Sequence, residues 1–324
     1  MPWILFQDLE FAALEEAFAS LGVEVRHNLQ GAALTAALQA EAPLLCMASM
    51  YKLVRQPLAA RSLRRRLNQR QVPLTCWNRD GPSHMGAKAW RLALLRTGWL
   101  MDIAATHTLQ DSGFARDVIF LPNAAWHTRY HLGDRALTEL RNSARYRVDV
   151  SFFGPLDGQR FPEMQRRGEF FAALQPRLQA LGVTTQFTGA TLDLPAQIEL
   201  IQSSRINLNF HAGADARWQG GWRGQPPSWG LPERCYGIPA AGGFLLSDRR
   251  GHAADDFVPG REWADFDGLD DCVAKIQYFL AHFDQSRTIA EAAHARVVAQ
   301  HTYVHRAQRL IEVAADWRER RKFL

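Results

Sequence analysis

Three stretches of the chain carry residue types that could hold or transform a ligand. The largest is 204–248, which opens on a short apolar run at 206–211 and closes on another at 243–248. A candidate helix lies between them, at 232–241. Two strands joined through a helix predict a parallel crossover, and ligands of open α/β sheets sit at the carboxyl ends of such strands. The connecting loop, 212–230, holds five glycines together with Trp218, Trp222 and Trp229. That composition suits a ligand site better than a plain connection. His211 closes the first run and Arg234 starts the helix, where forked guanidinium donors match a phosphate.

The second stretch is the loop NRDGPSHMG, directly after the apolar run VPLTCW at 72–77. Asp80 and His84 can each take a proton from an attacking hydroxyl. An aspartate before Gly-Pro is also a common turn former, so the bland role stays open beside the catalytic one. The third stretch follows 148–154. Gly154 there would let backbone approach an anion closely, and Arg160 would add charge. An ordinary strand-to-helix turn would use the same residues. Gly242 and Gly243 read as packing positions between helix and strand.

These residues need elements to position them. At 324 residues the chain is long for one domain and comfortable for two. The segments 2–6, 43–49 and 72–77 read as strands, VEVRH alternates like another, and 8–21 and 30–41 carry helical spacing. The run 58–71, with Arg61, Arg64, Arg65, Arg66 and Arg70, reads as a helix with a solvated charged face, contact with an anionic acceptor being the lesser alternative. A second alternation starts at 148: strand, helix over 162–181 ended by Gly182, strand at 183–189, and helix at 195–203. After Asp248 come a helix at 270–283 and one long amphipathic segment at 285–316, where His301 and His305 read as structural. The expected architecture is α/β, with two Rossmann-like domains of parallel strands, 1–147 and 148–324. The final helix either stays with the second domain or packs back on the first.

Composition removes several classes. The formal charge of +5, mostly from arginine, fits an anionic small molecule and is too mild to imply nucleic acid. No apolar run is long enough for a membrane span, and MPWILFQDLEF lacks a signal-peptide pattern, so a cytoplasmic location is expected. Cys46, Cys76, Cys235 and Cys272 have no close pairs, which argues against a zinc site, a redox dithiol or a disulfide framework.

The order VSFFG, SSRINLNF, PERCYGIPAAGGFLLSD, FVPGREWADFD and ARVVAQHTYVHRAQRLIE resembles glycosyltransferases of the CgeB-like (spore maturation protein-like) group of the GT-B superfamily. It covers roughly 150–315, and VPLTCWNRDGP and DVIFLPNAAW extend it more weakly into the first half. The resemblance implies a GT-B fold, with two Rossmann-like domains facing across a cleft. It also implies transfer of a hexose-type sugar from a nucleotide-sugar donor, of pyrimidine type, to a protein, glycan or small-molecule acceptor. No metal and no cofactor are implied. Arg234 matches the arginine of the family's R-x-F-E-A-x-A-x-G pattern, which places it on the donor diphosphate. Tyr236, Gly237, Gly154, Arg160, His211 and Trp222 complete the expected donor-binding set, and Asp80 and His84 the catalytic one. Gly237 departs from the pattern, because relatives have there a glutamate that holds the ribose hydroxyls. Glu233, one helical turn earlier, does not simply replace it. A sugar-nucleotide epimerase of the same fold and a non-catalytic binding protein are the alternatives.

Overall fold

The computed structural model describes residues 1–79, 89–107, 115–158, 161–189, 192–213 and 230–322. The chain forms two compact units, the first holding residues 1–122 and 303–322, the second 123–213 and 230–302.

The first unit is built on β1 (Trp3–Gln7), β2 (Glu24–His27), β3 (Cys46–Ala48), β4 (Leu74–Asn78), β5 (Ile103–Thr106) and β6 (Val118–Phe120). They form one sheet in the order β2-β1-β3-β4-β5-β6, every pairing parallel. All five residues of β1 are buried, as expected of a central strand covered on both faces. The connections from β1 through β5 carry helices: α1 (Ala12–Ser20), α2 (Gly31–Ala40), α3 (Met50–Arg55), α4 (Pro57–Asn68) and α5 (Ala89–Ala93). The strand order reverses between β1 and β3, and a cavity of about 320 Å³ opens there, lined by Gln7, Asp8, Ala48 and Arg66 among others.

The arginine run at 58–71 is not uniformly solvated. Arg64 turns inward and donates to the buried Asp102 at 2.7 and 2.9 Å, and Asp102 also accepts from Asn68 and from the Leu74 amide. Arg66 donates to the Gly31 carbonyl and to the Thr35 hydroxyl.

The second unit holds β7 (Val148–Phe153), β8 (Thr185–Thr188), β9 (Ser204–Asn209), β10 (Leu245–Asp248) and β11 (Ala264–Phe266), in the order β11-β10-β9-β7-β8, all parallel. Around it lie α6 (Pro162–Ala180), α7 (Leu194–Ser203), α8 (Arg234–Ala240), α9 (Ala253–Asp256), α10 (Gly268–Ala281) and α11 (Phe283–Gln300). Residues 123–147 contain no strand but belong to this unit. Gly242 shows why: at φ +80°, a methyl group on it would lie 2.6 Å from Leu140 and 2.7 Å from Leu132. Gly243 is packed as tightly, against Ile201, Asn207 and Ile238, which is the helix-to-strand role expected of it.

The segment expected as one helix at 285–316 is two. The chain breaks at His301–Thr302, where the His301 carbonyl accepts from the Ala125 amide and Thr302 bridges to Ala125. The last helix, α12 (Tyr303–Arg321), belongs to the first unit and packs on α1. Its Val313 and Trp317 cover Ile103, and Arg318 donates to the carbonyls of Pro43, Leu44 and Gln71. The four cysteines are buried and unbridged, with burial pushing every thiol up.

Candidate functional site

In the second unit the strand order reverses between β7 and β9, so the carboxyl ends of those strands mark its switch point, where open α/β sheets bind ligands. Two sequence-predicted residues meet there. Gly154, just past β7, has φ +146°, and a methyl group on it would sit 2.9 Å from Nη1 of Arg234. Nη1 of Arg234 donates to the Phe153 carbonyl at 2.8 Å, and the guanidinium lies 5.1 Å from the Phe152 ring centroid. The missing side chain at 154 is therefore what admits the guanidinium to the strand end.

A second cation stands on the same ring. Arg167, in the second turn of α6, is 4% exposed, and its guanidinium lies 5.7 Å from the Phe152 centroid. Burial, with the neighbouring Arg234 adding to it, pushes its pKa down to about 10. Burial likewise lowers that of Arg234. Among the described residues, Nε of Arg167 has no hydrogen-bond partner. Two guanidinium groups crowded on one phenylalanine at a strand switch point form a desolvated cationic site, one that an anion with several oxygens would relieve.

The sequence reading missed Arg167, although a signal was present. Arg167 precedes Phe171, Leu174 and Leu178 on the buried stripe of α6, so a charge occupies a position whose helical period calls for an apolar residue.

Beside Arg234 lies a cavity of about 550 Å³, lined by Trp126, Arg129, Tyr130, Gln197 and Glu233 among others. Arg129 covers the Trp126 ring at 3.7 Å. The Tyr130 hydroxyl donates to Oε1 of Gln197 at 2.5 Å, and burial, reinforced by Glu233, pushes its pKa up to about 12. Its ring accounts for Gly237: a methyl group there would lie 3.1–3.3 Å from Tyr130 ring carbons. The position that carries glutamate in the resembled pattern is thus filled from outside the helix by an aromatic ring. The carboxylate on the cavity wall is that of Glu233.

Two other expected residues are buried. Tyr236 is fully buried; its hydroxyl donates to Oδ2 of Asp256 at 2.7 Å and its ring packs on Phe257 and His301, so it faces the core and not the cavity. His301 is buried beside it, as a structural histidine would be. His211 is also buried. Its amide donates to Asp248 at 2.9 Å and its Nε2 stands 4.0 Å from Glu163. Asp248 accepts from Arg250 as well, which ties the ends of β9 and β10 together, and burial raises its pKa against the opposing pull of Arg250. Asp80, His84, Arg160 and Trp222 lie outside the described residues.

A family model described as glycosyl transferase-like matches residues 135–312, more than half of the chain. The chain belongs to that family. No curated protein is similar in sequence. Among solved structures, sucrose-phosphate synthase from Thermosynechococcus elongatus is similar at TM-score 0.61 with 11% identity, over 98% of this chain and 99% of that one. HepE of Anabaena, solved with UDP-glucose, is similar at TM-score 0.57 with 16% identity, over 98% and 100%. A glycosyltransferase from Rickettsia africae is similar at TM-score 0.58 with 11% identity, over 98% of each. The fold of this glycosyltransferase is GT-B, with both sheets parallel, and the arginine pair lies within the matched family segment.

Proposed function

We propose that this glycosyltransferase takes a sugar from a nucleoside diphosphate donor of pyrimidine type and passes it to an acceptor on the first unit, without a bound metal ion. The observation that carries this reading is the pair Arg167 and Arg234 over Phe152 at the β7–β9 switch point. When the anomeric C–O bond to the diphosphate breaks, negative charge develops on the departing oxygen. Preorganised cations in a dry site stabilise that charge without a metal. The UDP-glucose complex of Anabaena HepE supports a uridine nucleotide. The CgeB-like assignment rests on the order of motifs from VSFFG to ARVVAQHTYVHRAQRLIE.

In this account Gly154 gives Arg234 its place, and Arg160 and Trp222 are further donor-binding candidates on the motif order alone. Glu233 lines the cavity wall one helical turn before Gly237, so the ribose is held differently from the way the glutamate of the resembled pattern would hold it. The acceptor binds at the carboxyl ends of the first sheet, where the cavity between β1 and β3 opens and where the loop after β4 begins. Asp80 in that loop takes the acceptor's proton as its oxygen bonds to the anomeric carbon, with His84 the reserve candidate.

The test is a panel of UDP-, TDP-, GDP- and ADP-sugars, with release of the nucleoside diphosphate measured in excess chelator. Turnover of a pyrimidine donor in chelator is expected. Silence with every donor, or activity only when magnesium or manganese is restored, would count against the reading.

A further inference from the structure

Charge in this chain is sharply segregated. Between Glu41 and Asp102 there are eleven lysines and arginines and one acidic residue, Asp80. That segment carries +10, and the rest of the chain, within a total of +5, carries −5. Such a block is a physical statement about partners, because it concentrates a positive field on one part of one unit.

The segment also exposes large apolar groups. Leu58, in the first turn of α4, is 78% exposed and Trp90, on α5, is 55% exposed. With Pro57, Leu94 and Trp99 they wall a shallow apolar groove of about 620 Å³. From Leu58 the outer surface of α4 continues through Arg61, Ser62 and Arg65 to Gln69. The helix is therefore amphipathic in an unusual sense: its outward side is apolar at one end and cationic along its length. Arg61 and Arg65 form no ion pair among the described residues, in contrast to Arg64, whose charge is met internally by Asp102.

We propose that this face docks the protein peripherally on an anionic lipid surface. Leu58 and Trp90 enter the interfacial layer, and Arg61 and Arg65 meet the lipid headgroups. A tryptophan and a leucine ringed by arginines is the chemistry of an interfacial face: the apolar groups gain from leaving water while guanidinium groups remain at headgroup depth. No helix of the described residues is long and apolar enough to cross a membrane, so the contact is a surface one. Single-stranded nucleic acid fits less well. It needs open ring faces for base stacking, and here Arg61 covers Trp99 at 5.3 Å and Arg91 covers Trp90 at 5.2 Å. The inference stands independently of the donor reading, since no residue it uses belongs to the arginine site of the second unit.

The experiment is co-sedimentation of the full chain with vesicles of phosphatidylglycerol and phosphatidylcholine, and with vesicles of phosphatidylcholine alone. Binding to the anionic vesicles is expected, weakening as salt rises, with little binding to the neutral ones. The double variant Arg61→Glu, Arg65→Glu should lose at least tenfold in partitioning. Leu58→Asp with Trp90→Ala should also lose several-fold at low salt, although its arginines remain; thermal unfolding followed by circular dichroism confirms that both variants fold. Equal recovery with neutral vesicles, or unchanged binding by either folded variant, would overturn the proposal. So would capture of a single-stranded oligonucleotide in preference to anionic vesicles.

Discussion

The guanidinium of Arg234 occupies the space that a side chain at Gly154 would need, with Nη1 2.9 Å and Nη2 3.0 Å from where that methyl group would be. The two residues are eighty positions apart in sequence and arrive from different elements, one at the end of β7 and one at the start of α8. Their fit couples a backbone conformation to the position of a charge. Gly154→Ala should therefore act twice. The φ of +146° strains any L side chain, at a cost of roughly 1–3 kcal/mol in stability. The methyl group also displaces Arg234, so affinity for UDP should fall more than the loss of stability explains. Calorimetric titration of the folded variant checks this, and an unchanged affinity would separate Gly154 from the site.

Gly237 and Tyr130 make a similar pair. Restoring the glutamate of the resembled pattern, by Gly237→Glu, should destabilise the protein by about 1–3 kcal/mol, because the new side chain meets the Tyr130 ring. Combining it with Tyr130→Ala should recover part of that loss. Denaturant unfolding of both variants tests the point; equal destabilisation with and without Tyr130 would show that the ring is not the obstacle.

Asp80→Asn should leave UDP affinity intact and slow transfer by about a hundredfold or more, as expected on removal of a general base. Steady-state rates at saturating donor read this directly. Near-normal turnover would remove Asp80 from the mechanism and direct attention to His84→Gln.

The alternation of strands and helices was plain in the sequence because both sheets are parallel and their inner strands are buried, which leaves short apolar runs between helical periods. The Gly154–Arg234 site was legible in part, since a glycine at a strand end and an arginine at a helix start are each local signals. Arg167 was not singled out, because its meaning depends on α6 burying the stripe that continues through Phe171. Tyr130 was invisible for a different reason: it lies in an irregular stretch, and only tertiary packing brings it to Gly237. The break between α11 and α12 carries no proline or glycine. It is set by the pairing of Ala125 with His301 and Thr302, a contact some 175 residues distant in sequence. Tyr236 misled in the opposite direction, since its place in the motif suggested a ligand while its burial commits it to Asp256.

The central claim is that Arg167 and Arg234 together hold the diphosphate of the donor. Titration of UDP and of uridine into the wild type, Arg167→Ala and Arg234→Ala measures what the phosphates contribute to binding in each. The account predicts that the wild type prefers UDP strongly over uridine. Each substitution should narrow that gap by about 1.5–3 kcal/mol, the range for hydrogen bonds to charged groups, while affinity for uridine stays nearly constant. A gap between UDP and uridine that survives unchanged in both folded variants would contradict it.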